Sequence, residues 1–118
     1  MSFALAMQDE ELWTGEMRGV RVAGRRVLLV RLDDGVRAYE DRCAHLGVPL
    51  SEGTLEGFVL TCSAHHYQYD ARTGIGINPR AARLVPLRTR IMDGEIRVEL
   101  RAGSLPVVPG DQEPNDAG

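Results

Sequence analysis

The amino-acid sequence predicts an antiparallel all-β domain, because turn signals separate short apolar segments and one segment alternates between apolar and charged residues. The alternation runs through Glu95–Leu100, where Ile96, Val98 and Leu100 fall on one face, as in a half-buried antiparallel strand. Met92-Asp93-Gly94, directly before it, is a hairpin signal. This part of the chain is therefore expected to form a β-hairpin with one apolar face.

A second group of strands is predicted in the first half of the chain. Arg26–Leu32 is a short apolar run flanked by charge, which indicates a buried strand. Asp33-Asp34-Gly35 is a turn signal after it, and Val36–Tyr39 reads as the returning strand. Ala23-Gly24 separates Met17–Val22 from the same run in the same way.

The segment from Asp41 to Pro86 is rich in Gly, Pro, His and Cys and has no long periodic stretch. Such a long insert in a compact domain is either disordered or fixed by something else, and a bound metal would fix it. One helical turn is expected at Asp9–Trp13. We expect residues 1–100 to form one domain, with a smaller subdomain at about 41–80, and residues 101–118 to form a flexible tail.

Composition and charge exclude several classes of protein. The chain has 118 residues and no apolar run near the roughly 20 residues that cross a bilayer, so no membrane span is expected. The N-terminus lacks the features of a signal peptide, which predicts a cytoplasmic protein. All 14 basic residues are Arg and no segment concentrates them, so no nucleic-acid partner is expected. No G-x-G-x-x-G motif is present for a dinucleotide.

Four of the five Cys and His residues form two compact pairs, Cys43-Ala44-His45 and Cys62-Ser63-Ala64-His65. Sixteen residues lie between His45 and Cys62. Each pair supplies one thiolate and one neutral imidazole, both of which are metal ligands. A lone Cys or His is usually a core thiol or a hydrogen-bonded surface group, but two mixed pairs at this separation predict a metal site.

Tetrahedral zinc in a structural interaction module is one candidate for this site. Zinc fingers, however, pair Cys with Cys and His with His and usually end on a helix, whereas each pair here is mixed and its flanks look like strands. An iron–sulfur cluster with two thiolate and two imidazole ligands is the other candidate.

The two ligand motifs resemble the fingerprint of Rieske proteins. The flanks agree, with Ile77-Asn78-Pro79 at the position of the Rieske proline loop. The resemblance implies an antiparallel β-barrel or sandwich with a small cluster-binding loop subdomain. It also implies one [2Fe–2S] cluster per chain, ligated by Cys43, His45, Cys62 and His65. Because two ligands are neutral, such clusters have potentials of about −150 to +300 mV, against about −400 mV for plant-type ferredoxins.

Residues 1–100 are more closely similar to the ferredoxins of toluene-4-monooxygenase and related multicomponent diiron monooxygenases. The similarity is carried by Met1-Ser2-Phe3, Trp13–Met17, Ser51-Glu52-Gly53 and Gly76–Pro79. It implies a monomeric one-electron carrier, not itself an enzyme, between an NADH-dependent flavoprotein reductase and a diiron hydroxylase for aromatic hydrocarbons or alkenes. The ferredoxin of an aromatic-ring dioxygenase is the alternative within this class. A cluster-free reductase subunit of the same fold would lack the four ligands.

The sequence departs from the common Rieske pattern at several positions. Ala44 replaces a frequent Pro, Tyr69 stands where Phe is frequent, and the two additional cysteines of respiratory Rieske proteins are absent, which argues against a respiratory role. Without that disulfide, the loops should be held by packing, by Leu46, Pro49, Pro79 and Tyr69. His66, next to the predicted ligand His65, is expected not to bind iron.

Overall fold

A computed structural model describes residues 3–44, 48–64 and 66–100 of the chain. Helical structure in these parts is limited to two 3₁₀ turns, Asp9–Glu11 and Leu50–Glu52. No helix among them is long and apolar enough to cross a membrane. The same parts contain eleven strands: β1 (Phe3–Gln8), β2 (Met17–Val22), β3 (Arg25–Leu32), β4 (Gly35–Glu40), β5 (Thr54–Glu56), β6 (Val59–Thr61), β7 (Gln68–Asp70), β8 (Gly76–Asn78), β9 (Pro86–Leu87), β10 (Thr89–Met92) and β11 (Glu95–Glu99).

The strands form three antiparallel sheets, which confirms the predicted all-β fold. The first sheet has the order β1-β11-β10, the second β2-β3-β4-β9 and the third β5-β6-β7-β8. The turn signals lie where the sequence predicts them. Ala23-Gly24 and Asp93-Gly94 have positive φ at both positions, as two-residue hairpin turns require.

Strand β3 separates two hydrophobic cores, which explains why its sequence reads as a continuous apolar run. Val27 and Leu29 face the core shared with the first sheet, where Ile96 and Val98 are also fully buried. Leu28 and Val30 face the opposite core, which contains both cysteines and Tyr69. The site is therefore built on the second face of a strand that is buried on both sides.

Strand β1 was not predicted from the sequence. This strand forms by antiparallel pairing with β11, in which Phe3 lies opposite Glu99 and Gln8 opposite Glu95. The register is irregular between Leu5 and Met7. The pairing is long-range, and the local sequence carries no strong strand signal for it.

The predicted loop-rich segment contains more regular structure than expected. Strands β5 to β8 have three residues each and form the third sheet, and the 3₁₀ turn Leu50–Glu52 precedes them. Strands this short are below the length at which alternation is recognisable. The subdomain boundary at about 41–80 stays a prediction, and the predicted tail at 101–118 lies outside the described residues.

Glu40, at the end of β4, is a buried carboxyl group. It is 3% exposed, and neither carboxylate oxygen has a hydrogen-bond partner among the described residues. Burial raises the pKa of Glu40, and the charges of Arg42 and Arg25 oppose the rise. Between the ordinary glutamate pKa and the folded-state pKa, the folded protein keeps a proton that the unfolded chain has released. The free energy of unfolding therefore falls as pH rises through this range.

We therefore expect Glu40→Gln to flatten the pH dependence of unfolding. The variant should match the parent protein near pH 4 and become more stable than it above the folded-state pKa, by about 1.4 kcal/mol for each unit of pKa rise. Thermal unfolding between pH 4 and 8 measures this, with exposed Glu56→Gln as the matched control. Parallel pH profiles of unfolding in Glu40→Gln and the parent protein would contradict this prediction.

Candidate metal centre

The two cysteines begin two loops that meet in one buried core. Cys43 follows β4 and Cys62 follows β6; their residues are 1% and 0% exposed, and neither forms a disulfide among the described residues. Both belong to the core cluster that includes Tyr69 and Leu60. The structure therefore brings together one residue from each of the two predicted ligand pairs.

The two loops are closed by equivalent backbone hydrogen bonds. The amide of Cys43 donates to the carbonyl of Val48 at 2.8 Å, and the amide of Cys62 donates to the carbonyl of Tyr67 at 2.7 Å. In each loop the acceptor lies five residues after the cysteine. The predicted ligands His45 and His65 fall within the two closed segments, although both histidines, with Leu46 and Gly47, lie outside the described residues.

A hydrogen-bond donor lies beside each of the two sulfur atoms. The hydroxyl oxygen of Tyr69 lies 3.4 Å from Cys43 Sγ and accepts a hydrogen bond from the Ala44 amide at 3.1 Å. The phenolic proton of Tyr69 is therefore available to Cys43 Sγ. The Ala64 amide donates to Cys62 Sγ at 3.4 Å. Donors directed at sulfur are suited to thiolates that carry negative charge in a metal site.

The protonation of these groups follows from their burial. Burial raises the pKa of the Cys62 thiol, a hydrogen bond with the Cys43 thiol adds to the rise, and the Ala64 amide opposes it. Metal binding at Cys62 must therefore release a proton. Burial, followed by the hydrogen bond with Cys43, also raises the pKa of Tyr69 well above its ordinary value, so its hydroxyl remains a donor at neutral pH.

A buried carboxylate holds the far end of the first loop. Asp41 accepts hydrogen bonds from the Ser51 amide at 2.8 Å and from the Ser51 hydroxyl at 2.7 Å. Sequence reasoning missed this contact, as it missed the bond between Tyr69 and Cys43, because each joins residues that are distant along the chain. An Asp two residues before a candidate ligand is the signal that could have found the first.

The proline segment lies beside the second loop. Asn78 pairs with Gln68 at the start of β7, the Asn78–Pro79 peptide is cis, and the Ala82 amide donates to the Pro79 carbonyl at 3.2 Å. Gln68 in turn pairs with Thr61, the residue before Cys62. The segment that the resemblance assigns as the proline loop therefore lies next to the cysteine end of the third sheet.

The residues expected to hold the loops have different roles. Tyr69 is fully buried and Pro49 partly buried, whereas Pro79 is exposed and Leu46 is not described. Tyr67 is partly buried and packs against the core. His66 is exposed with a φ of +54°, and its assignment as a non-ligand stays a prediction.

The two thiols fit an iron–sulfur cluster but do not complete a site. No group of three or more His, Cys, Asp and Glu side chains comes together within residues 3–44, 48–64 and 66–100. Additional ligands must come from outside these residues, and His45 and His65 fall in the sequence between the ends of the two closed loops. The buried sulfurs with directed donors match the environment that a cluster requires.

Comparisons with known proteins agree with this geometry. Residues 2–91 match the family model described as Rieske [2Fe–2S] domain. The ferredoxin component of the alkene monooxygenase system of Xanthobacter autotrophicus is 37% identical over 90 residues, covering 75% of this chain and 74% of that protein. The anthranilate 1,2-dioxygenase ferredoxin subunit of Burkholderia cepacia is 34% identical over 93 residues, covering 75% and 83%.

Solved structures show the same fold. The ferredoxin of carbazole 1,9a-dioxygenase from Nocardioides aromaticivorans superposes with a TM-score of 0.77 over 86% of this chain and all of that chain, at 23% identity. A complex of reduced oxygenase and oxidised ferredoxin in carbazole 1,9a-dioxygenase matches at 30% identity and a TM-score of 0.73, over 81% and 91%. From the buried thiols, the closed loops and these matches, the chain belongs to the Rieske [2Fe–2S] family and is an electron-carrying ferredoxin with a Rieske-type cluster.

Proposed function

We propose that this ferredoxin passes single electrons from an NADH-dependent flavoprotein reductase to the diiron hydroxylase of a monooxygenase that acts on alkenes or aromatic hydrocarbons. The 37% identity with the alkene monooxygenase ferredoxin supports this system. The convergence of Cys43 and Cys62 in one buried core is the observation that carries the proposal. The protein would act in the cytoplasm as a monomer, without catalytic activity of its own.

The proposed ligands are Cys43, His45, Cys62 and His65. The thiolates would be shielded by the core, and the imidazoles would come from the closed loops. When bound, the cluster supplies one-electron redox chemistry. The chain excludes water from the sulfurs, directs hydrogen bonds to them and closes each loop with a backbone hydrogen bond.

A second candidate is the ferredoxin of an aromatic-ring dioxygenase. The 34% identity with the anthranilate dioxygenase subunit and the match with the carbazole dioxygenase complex favour it. The cluster and fold would be the same, so only the oxygenase that accepts the electrons distinguishes the two candidates.

Two measurements test the proposal. Low-temperature EPR of the dithionite-reduced protein, with iron, zinc and sulfide analysis, should give two irons and two sulfides per chain and a rhombic signal. Its average g should lie below that of an all-cysteine cluster; an all-cysteine signal would contradict the histidine ligands. Reconstitution with a reductase and either a purified diiron hydroxylase or a ring dioxygenase then decides the system, by NADH-dependent product formation that requires the ferredoxin.

The hydroxyl of Tyr69 gives a separate prediction. Tyr69→Phe removes the proton available to Cys43 Sγ but keeps the buried ring. A hydrogen bond to a ligand sulfur is stronger when the centre carries more negative charge, so the variant should have a lower reduction potential. If this hydrogen bond stabilises the reduced state over the oxidised state by about 1.4 kcal/mol, its loss lowers the reduction potential by about 59 mV. Potentiometric titration measures the reduction potential, and Tyr67→Phe is the control. An equal potential in the two variants would contradict the prediction.

A further inference from the structure

Three exposed arginines lie around the cysteine end of the molecule. Arg42 directly precedes Cys43, and Arg80 directly follows Pro79 in the proline segment. Arg83 donates from Nη1 to the Arg80 carbonyl at 2.5 Å and to the Ala82 carbonyl at 2.9 Å, so its guanidinium group lies over the same segment. We name Arg42, Arg80 and Arg83 the basic rim.

Within the parts of the chain that the structure describes, Glu40 is the acidic side chain that interacts electrostatically with the basic rim, through Arg42, and it is buried. None of the ion pairs found there includes Arg42, Arg80 or Arg83. Asp41 is buried and bonded to Ser51. Asp70 is paired with Arg72 at 2.8 Å, at the end of β7 that is remote from Cys62.

The opposite end of the molecule carries several acidic side chains, of which Asp9 and Asp34 are paired with Arg31 and Arg37. Strand β4 begins after the Asp33-Asp34 turn and ends before Arg42, so these charges are separated by about 20 Å at the usual strand rise. Glu10, Glu11 and Glu16 are exposed at the same remote end, because Asp9 and the Glu16 carbonyl contact Arg31 at the end of β3. The chain therefore has a charge asymmetry along its strands, although its net charge is −3.

A partner that approaches the cysteine end meets a mixed surface. Pro49 and the exposed Ile77 supply apolar area beside the basic rim. An apolar centre with a polar border is the usual composition of a specific protein interface. Opposite charge across such a border increases the association rate and orients the encounter.

We propose that the basic rim is a docking surface for an acidic patch on the oxygenase component. The inference rests on the proposed function, since it names the surface chemistry of the same electron acceptor. A complex between a reduced oxygenase and a ferredoxin related to this chain is the reason for choosing the oxygenase over the reductase as the occupant. The acidic end of the ferredoxin would then face away, so a net negative carrier would approach an acidic partner in one orientation.

The test is stopped-flow oxidation of the reduced holoferredoxin by the purified diiron hydroxylase of an alkene monooxygenase, at increasing salt concentration. Arg80→Glu should slow the second-order rate about 5-fold to 10-fold at low salt, and the difference should disappear at high salt, where charges are screened. Arg90→Glu is the matched control, because it changes the net charge equally on the outer face of the first sheet, where Arg90 stacks on Phe3. Arg42→Glu tests the rim independently if Arg80→Glu loses cluster.

Four results would overturn the proposal. A rate that does not depend on salt would show that charge does not control association. Equal slowing by Arg80→Glu and Arg90→Glu would show that net charge, and not the basic rim, controls it. Slowing confined to reduction by the reductase would assign the rim to the other partner. Absence of oxidation by the oxygenase at every salt concentration would instead overturn the proposed function itself, together with the inference.

Discussion

Replacing Cys62 with serine is expected to abolish the visible absorbance and the EPR signal of the protein. The residue is fully buried, with its sulfur held by the Ala64 amide, and a serine hydroxyl is too weakly acidic to replace a thiolate ligand there. Cys43→Ser should have the same effect, because the two thiols meet in one core. Iron and sulfide analysis of the purified variants should fall from two of each per chain to nearly none.

The control for this experiment is His66→Ala, which should retain the spectrum. His66 is exposed, and its neighbour His65 is the proposed ligand. Circular dichroism of the cluster-free proteins should show similar β structure in Cys62→Ser and the parent, which separates lost ligation from lost folding. A coloured Cys62→Ser protein, or a colourless His66→Ala protein, would require a different ligand set.

Gly53→Ala is expected to be the most destabilising small substitution near the site. A Cβ at Gly53 would lie 1.9 Å from the Thr61 carbonyl oxygen, and that carbonyl belongs to the residue before Cys62. Both partners of this contact are backbone, so neither can rotate away. Gly53 ends the 3₁₀ turn that follows the first loop, with its amide donating to the Leu50 carbonyl. The substitution must therefore push the two cysteine loops apart.

The expected loss of stability is about 3 kcal/mol or more, the size typical of forced backbone movement in a packed interior. Thermal unfolding and the yield of cluster-loaded protein measure it. The matched control is Gly57→Ala in the neighbouring turn, where φ is +61° and no atom lies within 4 Å of the added Cβ. Its cost should be limited to the left-handed conformation, about 1–2 kcal/mol. Equal losses in both variants would contradict the steric explanation.

Local signals predicted the parts of the fold that depend on neighbouring residues. Asp33-Asp34-Gly35 and Asp93-Gly94 indicated hairpins, and Ile96 and Val98 indicated the buried face of β11, because each feature is encoded within a few residues. The mixed Cys and His pairs likewise indicated a metal site by their spacing alone.

The features that were not predicted depend on contacts between distant segments. The third sheet is made of strands too short to show alternation, and it exists because β5 to β8 pair with one another. The directed hydroxyl of Tyr69 and the contact between Asp41 and Ser51 appear only when the loops fold together. Sequence spacing thus located the proposed ligands, whereas the residues that shape their surroundings required the structure.

The pairing of β1 with β11 has a consequence for how the protein is made. Synthesis releases Phe3–Gln8 from the ribosome first, yet its hydrogen-bonding partner Glu95–Glu99 emerges only after both cysteine loops. Until then β1 is an unpaired edge, of the kind that promotes association between nascent chains. The core that contains Cys43 and Cys62 uses no residue of β1 or β11, so it can assemble earlier. Cluster insertion therefore need not wait for β11 to pair with β1.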